Sequence, residues 1–153
     1  MAIIFNDKYA KPQIKIIIAG TRTFSDYTSL CNIIYTILNK YVYNKGYNKE
    51  QIIIVCGKAQ GADTLGEKYA KENSIDIKYF PADWDTYGKS AGYIRNKQMA
   101  EYASSEKGYG ALIAFWDGKS KGTKLMIDLA KQYHLKTFIF DYSKNKAVTQ
   151  NGF

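Results

Sequence analysis

Two stretches, IKIIIAG and QIIIVCG, constrain this chain more than anything else in it. Both are almost unbroken runs of branched aliphatic side chains. A strand with one wet face would alternate apolar and polar residues; a run apolar at every position suits a strand buried on both faces, as in the middle of a parallel sheet. Five segments read as strands on this basis: Ile14–Ala19, Gln51–Cys56, Ile75–Phe80, Ala111–Trp116 and Thr137–Phe140. Between them lie helical patterns at about Tyr27–Asn39, Ala62–Glu72, Gly92–Ala103 and Thr123–Tyr133, with apolar residues recurring every three or four positions. Alternating strand and helix calls for right-handed crossovers and helices on both faces of the sheet. The expectation is an α/β three-layer sandwich around a mostly parallel sheet of five strands or slightly more. At 153 residues the whole chain, with a core from about 13 to 141, reads as one domain.

Composition excludes several function classes. No apolar run approaches the roughly 20 residues of a membrane-spanning helix, and Met1–Pro12 lacks the layout of a signal peptide. Two cysteines, Cys31 and Cys56, make no disulfide framework, and with the single His134 they make no zinc site. Neither a metal nor a cofactor is expected. His134 falls late in the last helical pattern, away from any strand end, and no Ser-His-Asp or Cys-His set is assembled by this layout. The formal charge is +8, carried almost wholly by lysine; arginine occurs only at Arg22 and Arg95. Scattered lysines describe a solvated surface. A guanidinium is a planar fork of donors that matches phosphate, and both arginines fall in glycine-containing segments.

In an open parallel sheet, ligands bind beyond the carboxyl ends of the strands, near a change in strand order. Four unusual segments follow strands here: GTRTFSD from Gly20 to Asp26, GKAQGAD from Gly57 to Asp63, PADWDTYGKSAG from Pro81 to Gly92, and DGKSKGT from Asp117 to Thr123. Parallel strands share direction, so these loops should meet at one edge of the sheet, each leading into a helix whose free N–H groups and dipole favour an anion. Neither glycine loop is a Walker A or a G-x-G-x-x-G motif. Arg22 is read as a phosphate clamp, and Arg95 with Asn96, at the start of their helix, as ligands of a phosphate or a ribose hydroxyl. Asp63 would be a first-turn carboxylate, a ribose acceptor or a loop-orienting group. Trp84 is placed to stack on a base, whereas Trp116 reads as a packing aromatic. The polar, tyrosine-rich segment 39–50 carries no chemistry that can be assigned, and the tail from Tyr142 reads as peripheral.

Taken together and in order, GTRTFSD, CGKAQGAD, PADWDTYGKSAGYIRNKQM and AFWDGKSKGT resemble the SLOG superfamily, which includes DNA-processing protein A (Smf) and the Lonely Guy enzymes, and in particular its small stand-alone branch in bacteria and phages. The resemblance implies a Rossmann-like fold that binds a nucleotide or a nucleotide-derived molecule, such as an NAD-derived or ADP-ribose signal or a cyclic nucleotide. It would act as a sensor or, in a phage, as a sequestering anti-defence protein in the cytoplasm of a bacterial host cell. Ligand-binding positions are then Gly20, Thr21, Arg22, Gly57, Lys58, Gly61, Asp63, Trp84, Arg95, Asn96, Asp117, Gly118, Ser120, Gly122 and Thr123.

By the same resemblance, Arg95 to Met99 matches the R-K-x-x-M segment of Lonely Guy N-glycosidases that act on nucleoside 5′-monophosphates. Met126, however, stands where their catalytic glutamate would be, and Lys58 replaces a glycine of the usual G-G-A-x-G-A-D loop. An apolar thioether accepts no proton, so the leading expectation is binding without turnover. In the enzyme alternative Arg95 and Asp117 would be catalytic. A second alternative, single-stranded DNA binding, suits the basic charge but lacks an aromatic–basic stacking array. Self-association into a dimer or tetramer is a further implication of the resemblance.

Overall fold

The computed structural model describes residues 12–144 and the backbone of residues 149–151. Five parallel strands form its centre: β1 (Ile14–Gly20), β2 (Ile52–Cys56), β3 (Asp76–Tyr79), β4 (Gly110–Trp116) and β5 (Lys136–Asp141). A short β6 (Thr149–Asn151) pairs antiparallel with β5, and the sheet order is β3-β2-β1-β4-β5-β6. The chain steps outward from β1 to β2 and β3, then returns to the other side of β1 as β4. That reversal puts the switch in strand order between β1 and β4, the place where an open α/β sheet forms a crevice.

The two aliphatic runs occupy the interior as their composition requires. Successive side chains of a strand point to opposite faces. Accordingly Ile16 and Ile18 pack with α1 (Tyr27–Tyr41) and α2 (Ala62–Glu72), through Leu30, Ile34 and Ala70, while Ile17 and Ala19 pack on the other face with α4 (Ala91–Ala103) and α5 (Lys121–Gln132), through Met99, Met126 and Leu129. Each aliphatic side chain removed from water in this way contributes about 1.5–3 kcal/mol before entropy is charged against it. Lys15, within the same strand, is buried along its stem and reaches out to donate to Ser105 Oγ at 2.5 Å, with its ammonium 4.1 Å from the centre of the Tyr102 ring. The result is the α/β three-layer arrangement that the apolar runs imply.

Several local expectations need correction. The segment after β3 is not a plain loop: α3 (Trp84–Tyr87) forms within it, its first turn closed by Asp83 Oδ1 accepting from Thr86 N at 3.1 Å. Helix α4 begins at Ala91, so Arg95 and Asn96 lie a full turn inside it and not at its start. His134 is not helical; it sits after α5 in the left-handed region at φ 61°, where Leu135 N donates to Ala130 O at 2.9 Å and the chain turns back into β5. Strand β3 is shorter than its apolar run, because at the sheet edge it has one neighbour instead of two. The 39–50 segment is the end of α1 followed by two 3-10 turns. Among the described residues, no helix is long and apolar enough to cross a membrane.

Candidate functional site

At the carboxyl end of β1 the chain is pinned on both sides of Arg22. Thr21 is turned inward: its N donates to Phe115 O at 2.9 Å and its Oγ1 accepts from Asp117 N at 3.1 Å, tying this loop to the one after β4. Three residues on from Thr21, Phe24 is buried against the Phe115 ring at a centroid distance of 5.0 Å. Arg22 is held between these anchors with its side chain exposed. Asp26, at the end of the motif, is used up as the cap of α1: it accepts from Ser29 N at 3.1 Å and Ser29 Oγ at 2.6 Å, and those bonds hold its carboxyl below the usual carboxylate range.

The loop after β2 is built around a buried carboxylate with a half-buried guanidinium nearby. Gly61, at φ 78°, lies so close to the carbonyl oxygens of Thr21 and Arg22 that a Cβ there would stand 2.3 and 2.6 Å from them. This contact locks the loops after β1 and β2 together. Asp63, 4% exposed at the start of α2, accepts from Ala59 N at 3.3 Å. Arg95 comes across from α4, donates through Nη1 to Gly57 O, and donates through Nε to Asn96 Oδ1 at 2.8 Å. A Cβ on Gly57 would sit 2.7 Å from Arg95 Nη1 and 2.8 Å from Asp63 Oδ2, so glycine is what lets both charged groups converge here. Burial pushes the Asp63 carboxyl up to about 6, against the opposing pull of Arg95 and of backbone N–H groups. Burial also lowers the Arg95 pKa; Asp63 opposes this and the charge on Arg22 adds to it. Two guanidinium groups therefore share one neighbourhood with a single buried carboxylate.

These groups line two adjoining cavities. The narrower, about 140 Å³, opens at the ends of β1 and the starts of α4 and α5, with Arg22, Asp63, Arg95 and Asn96 as its polar wall and Ala19, Met99 and Met126 as its apolar floor. Gly20, Ser120, Gly122 and Thr123 complete its rim. The wider, about 300 Å³, lies over the β2 loop, where Gly57, Lys58 and Gln60 face Pro81 and Ala82. Arg22, Ala59, Trp84 and Arg95 belong to both, so the two arginines and the indole form the partition between them. Trp84 is 52% exposed and lies against Gly92 of α4.

Four sequence-predicted positions stand outside both cavities. Thr21 and Gly61 lie behind the wall as loop ties. Asp117 accepts from Lys119 N at 2.8 Å and Ser120 N at 2.7 Å, bonds that hold its carboxyl low and turn it into its own loop. Gly118 faces Asp141 and Ser143. Trp116 donates from Nε1 to Ser120 O at 3.0 Å, a packing and loop-fixing role. Met126 does line the narrower cavity, and Asp63 is the only carboxylate among that cavity's lining residues. Ala19, Ala59, Gln60, Pro81, Ala82, Gly92 and Met99 line the cavities without having been singled out as site residues. For Met99 a signal existed: it follows Arg95 by four positions and so shares its helix face. Among the described residues, no group of three His, Cys, Asp or Glu side chains is gathered for a metal ion. Cys56, beneath Asp63, is buried, and that burial pushes its thiol up to about 11.

Residues 14–87, from β1 through α3, match the family model described as YAcAr, the YspA, cpYpsA-related SLOG family. The chain is similar to Gene 61 protein of Mycobacterium phage D29, with 27% identity over 115 residues, 72% of this chain and 82% of that one. Among solved structures, it is similar to the C-terminal domain of PF1911 hydrogenase from Pyrococcus furiosus, at 14% identity and a TM-score of 0.41, covering 86% of this chain and 95% of that one. The matched segment, just under half of the chain, contains both tied loops, Arg22, Gly57, Asp63 and Trp84, and over it the chain is similar to the SLOG family.

Proposed function

We propose that the protein binds a phosphorylated, nucleotide-derived small molecule across the two cavities at the carboxyl end of the sheet. The observation that carries this reading is that the chain's only two arginines line both cavities together. A scattered pair would be surface solvation; a converging pair, with Arg95 half-buried and Arg22 exposed beside it, has donor capacity left for an anion. Arg22 and Arg95 would take the phosphate, with the backbone N–H of Gly122 in the first turn of α5 adding a donor. Trp84 offers its exposed indole face to a base. Likeness to the SLOG family over residues 14–87 supports a nucleotide-related ligand.

The apolar floor favours binding over turnover. Met126 supplies neither a base nor a stabilising charge, and the one lining carboxylate, Asp63, is buried and occupied with Ala59 N, with the Arg95 charge nearby. Affinity without turnover is what a sensor or a sequestering protein needs, and the likeness to a phage protein fits the second role. Titration calorimetry with AMP, ADP, ADP-ribose and cyclic dinucleotides tests the reading. At least one is expected to bind in the micromolar range or tighter and to lose that binding in Arg95→Ala. Millimolar or weaker binding by all of them, or unchanged binding by Arg95→Ala, would overturn it.

A further inference from the structure

The two cavities differ in charge, and the residues that make the difference are Lys58 in the wider and Asp63 in the narrower. Every charged side chain lining the wider cavity is cationic: Arg22, Arg95 and Lys58. The narrower one balances the same two arginines with Asp63. Lys58 stands on a left-handed backbone at φ 59°, a conformation glycine adopts freely and a lysine adopts only against its Cβ. Its ammonium is clasped by Glu67, at 3.2 and 3.4 Å from the two carboxylate oxygens, and lies 5.0 Å from the centre of the Tyr79 ring. The lysine side chain remains about half exposed.

Glu67 does not depend on that clasp. It also accepts from Tyr79 OH at 2.8 Å and pairs with Lys71 at 3.0 Å. When Lys58 swings away, Glu67 keeps two donors, so the lysine is released without stranding a carboxylate. A flexible cation at the mouth of a cavity lined by two further cations, held by a partner that can spare it, is arranged to meet a second negative group.

We propose that Lys58 makes the site selective for diphosphate ligands, with one phosphate between Arg22 and Arg95 and the next in the wider cavity on Lys58. This rests on the phosphate-binding reading above and names the ligand class within it. Compounds with two linked phosphates are favoured over monophosphates, because only they reach both the shared guanidinium wall and the lysine.

The test is a matched calorimetric titration of the full chain with AMP and ADP, and with inorganic phosphate and pyrophosphate, at fixed ionic strength. The diphosphate of each pair is expected to bind at least tenfold more tightly. In Lys58→Gly, which suits the left-handed backbone, and in Lys58→Met, which keeps a long side chain without its charge, both ratios are expected to collapse to within threefold of one. Equal binding of mono- and diphosphates by the unaltered chain overturns the selectivity while leaving the phosphate site standing, and so does a ratio that survives both substitutions. Binding of none of the four removes the phosphate site and the selectivity together.

Discussion

The loops that follow β2 and β4 look alike in sequence, and they do different things. Each leaves a buried strand, carries two glycines and an aspartate, and runs into the first turn of a helix. After β4, the loop closes on itself. Asp117 takes the N–H groups of Lys119 and Ser120, Ser120 O takes the Trp116 indole, and Ser120 Oγ lies 3.5 Å from Thr123 N as the helix cap. After β2, the cap residue is Gly61, which has no side chain to offer, and the aspartate is buried beside a guanidinium from α4. Glycine spacing thus marks where a chain can turn tightly. Whether donors are left over for a ligand depends on where the loop's own acceptors point.

The difference is tested most severely by comparing Arg95→Ala with Asp117→Ala. Removing Arg95 takes away the inner guanidinium and leaves Asp63 buried without its cation. Nucleotide affinity is expected to fall by about 100-fold, and stability at pH 7 by about 3 kcal/mol. The stability loss should shrink at pH 5, where Asp63 takes up a proton. Asp117→Ala removes only a loop acceptor; denaturant titration should show a loss of about 1 kcal/mol, and affinity should move less than threefold. Equal effects on affinity would erase the distinction between the loops.

Next in size is a pH effect confined to the β2 side. Asp63 has a folded pKa of about 6 against an ordinary 3.8, so the native state binds the extra proton between those values. Its contribution to stability is therefore full below about pH 4 and is lost as pH rises through 6, a change of about 3 kcal/mol. Unfolding free energies of the unaltered chain and of Asp63→Asn, measured from pH 4 to 7.5, should diverge by about this amount. Parallel profiles would place the carboxylate in a better solvated setting than its burial implies.

Smaller effects refine the picture. Gly57→Ala pushes a methyl into the space shared by Arg95 and Asp63, and about a tenfold loss of nucleotide affinity is expected, read by calorimetry, with far-ultraviolet circular dichroism unchanged. Trp84→Ala should weaken AMP by roughly tenfold, about 1.4 kcal/mol of stacking, while inorganic phosphate binds as before. Equal loss for both ligands would assign the indole to shaping the cavity and not to a base.

Much of the fold is legible in the chain because its central strands are apolar at every position. Strands β1, β2 and β4 begin and end within a residue of their apolar runs, since burial on both faces leaves no other pattern. Strand β3 and the segment around α3 are less legible, being governed by edge exposure and by the single cap at Asp83. The neighbourhood of the two arginines follows from parallel topology alone. What the sequence does not separate is Asp63 from Asp117: both are aspartates beside glycines near helix starts, and only the crossing of α4 over the β2 loop distinguishes a buried carboxylate with a guanidinium nearby from a turn former. The Lys58–Glu67 clasp spans nine residues and depends on the left-handed turn at Lys58, which no periodicity announces.

Among the described residues the sheet ends at β3, and that margin has a consequence for how the molecule behaves in a crowded solution. An uncovered strand is a template on which a foreign chain can polymerise through main-chain pairing. Here the margin is four residues long, with Asp76, Lys78 and Tyr79 exposed along it. Any intruding strand would meet charges of both signs within about 10 Å of template, too short and too hydrophilic a ledge for fibrous stacking to begin.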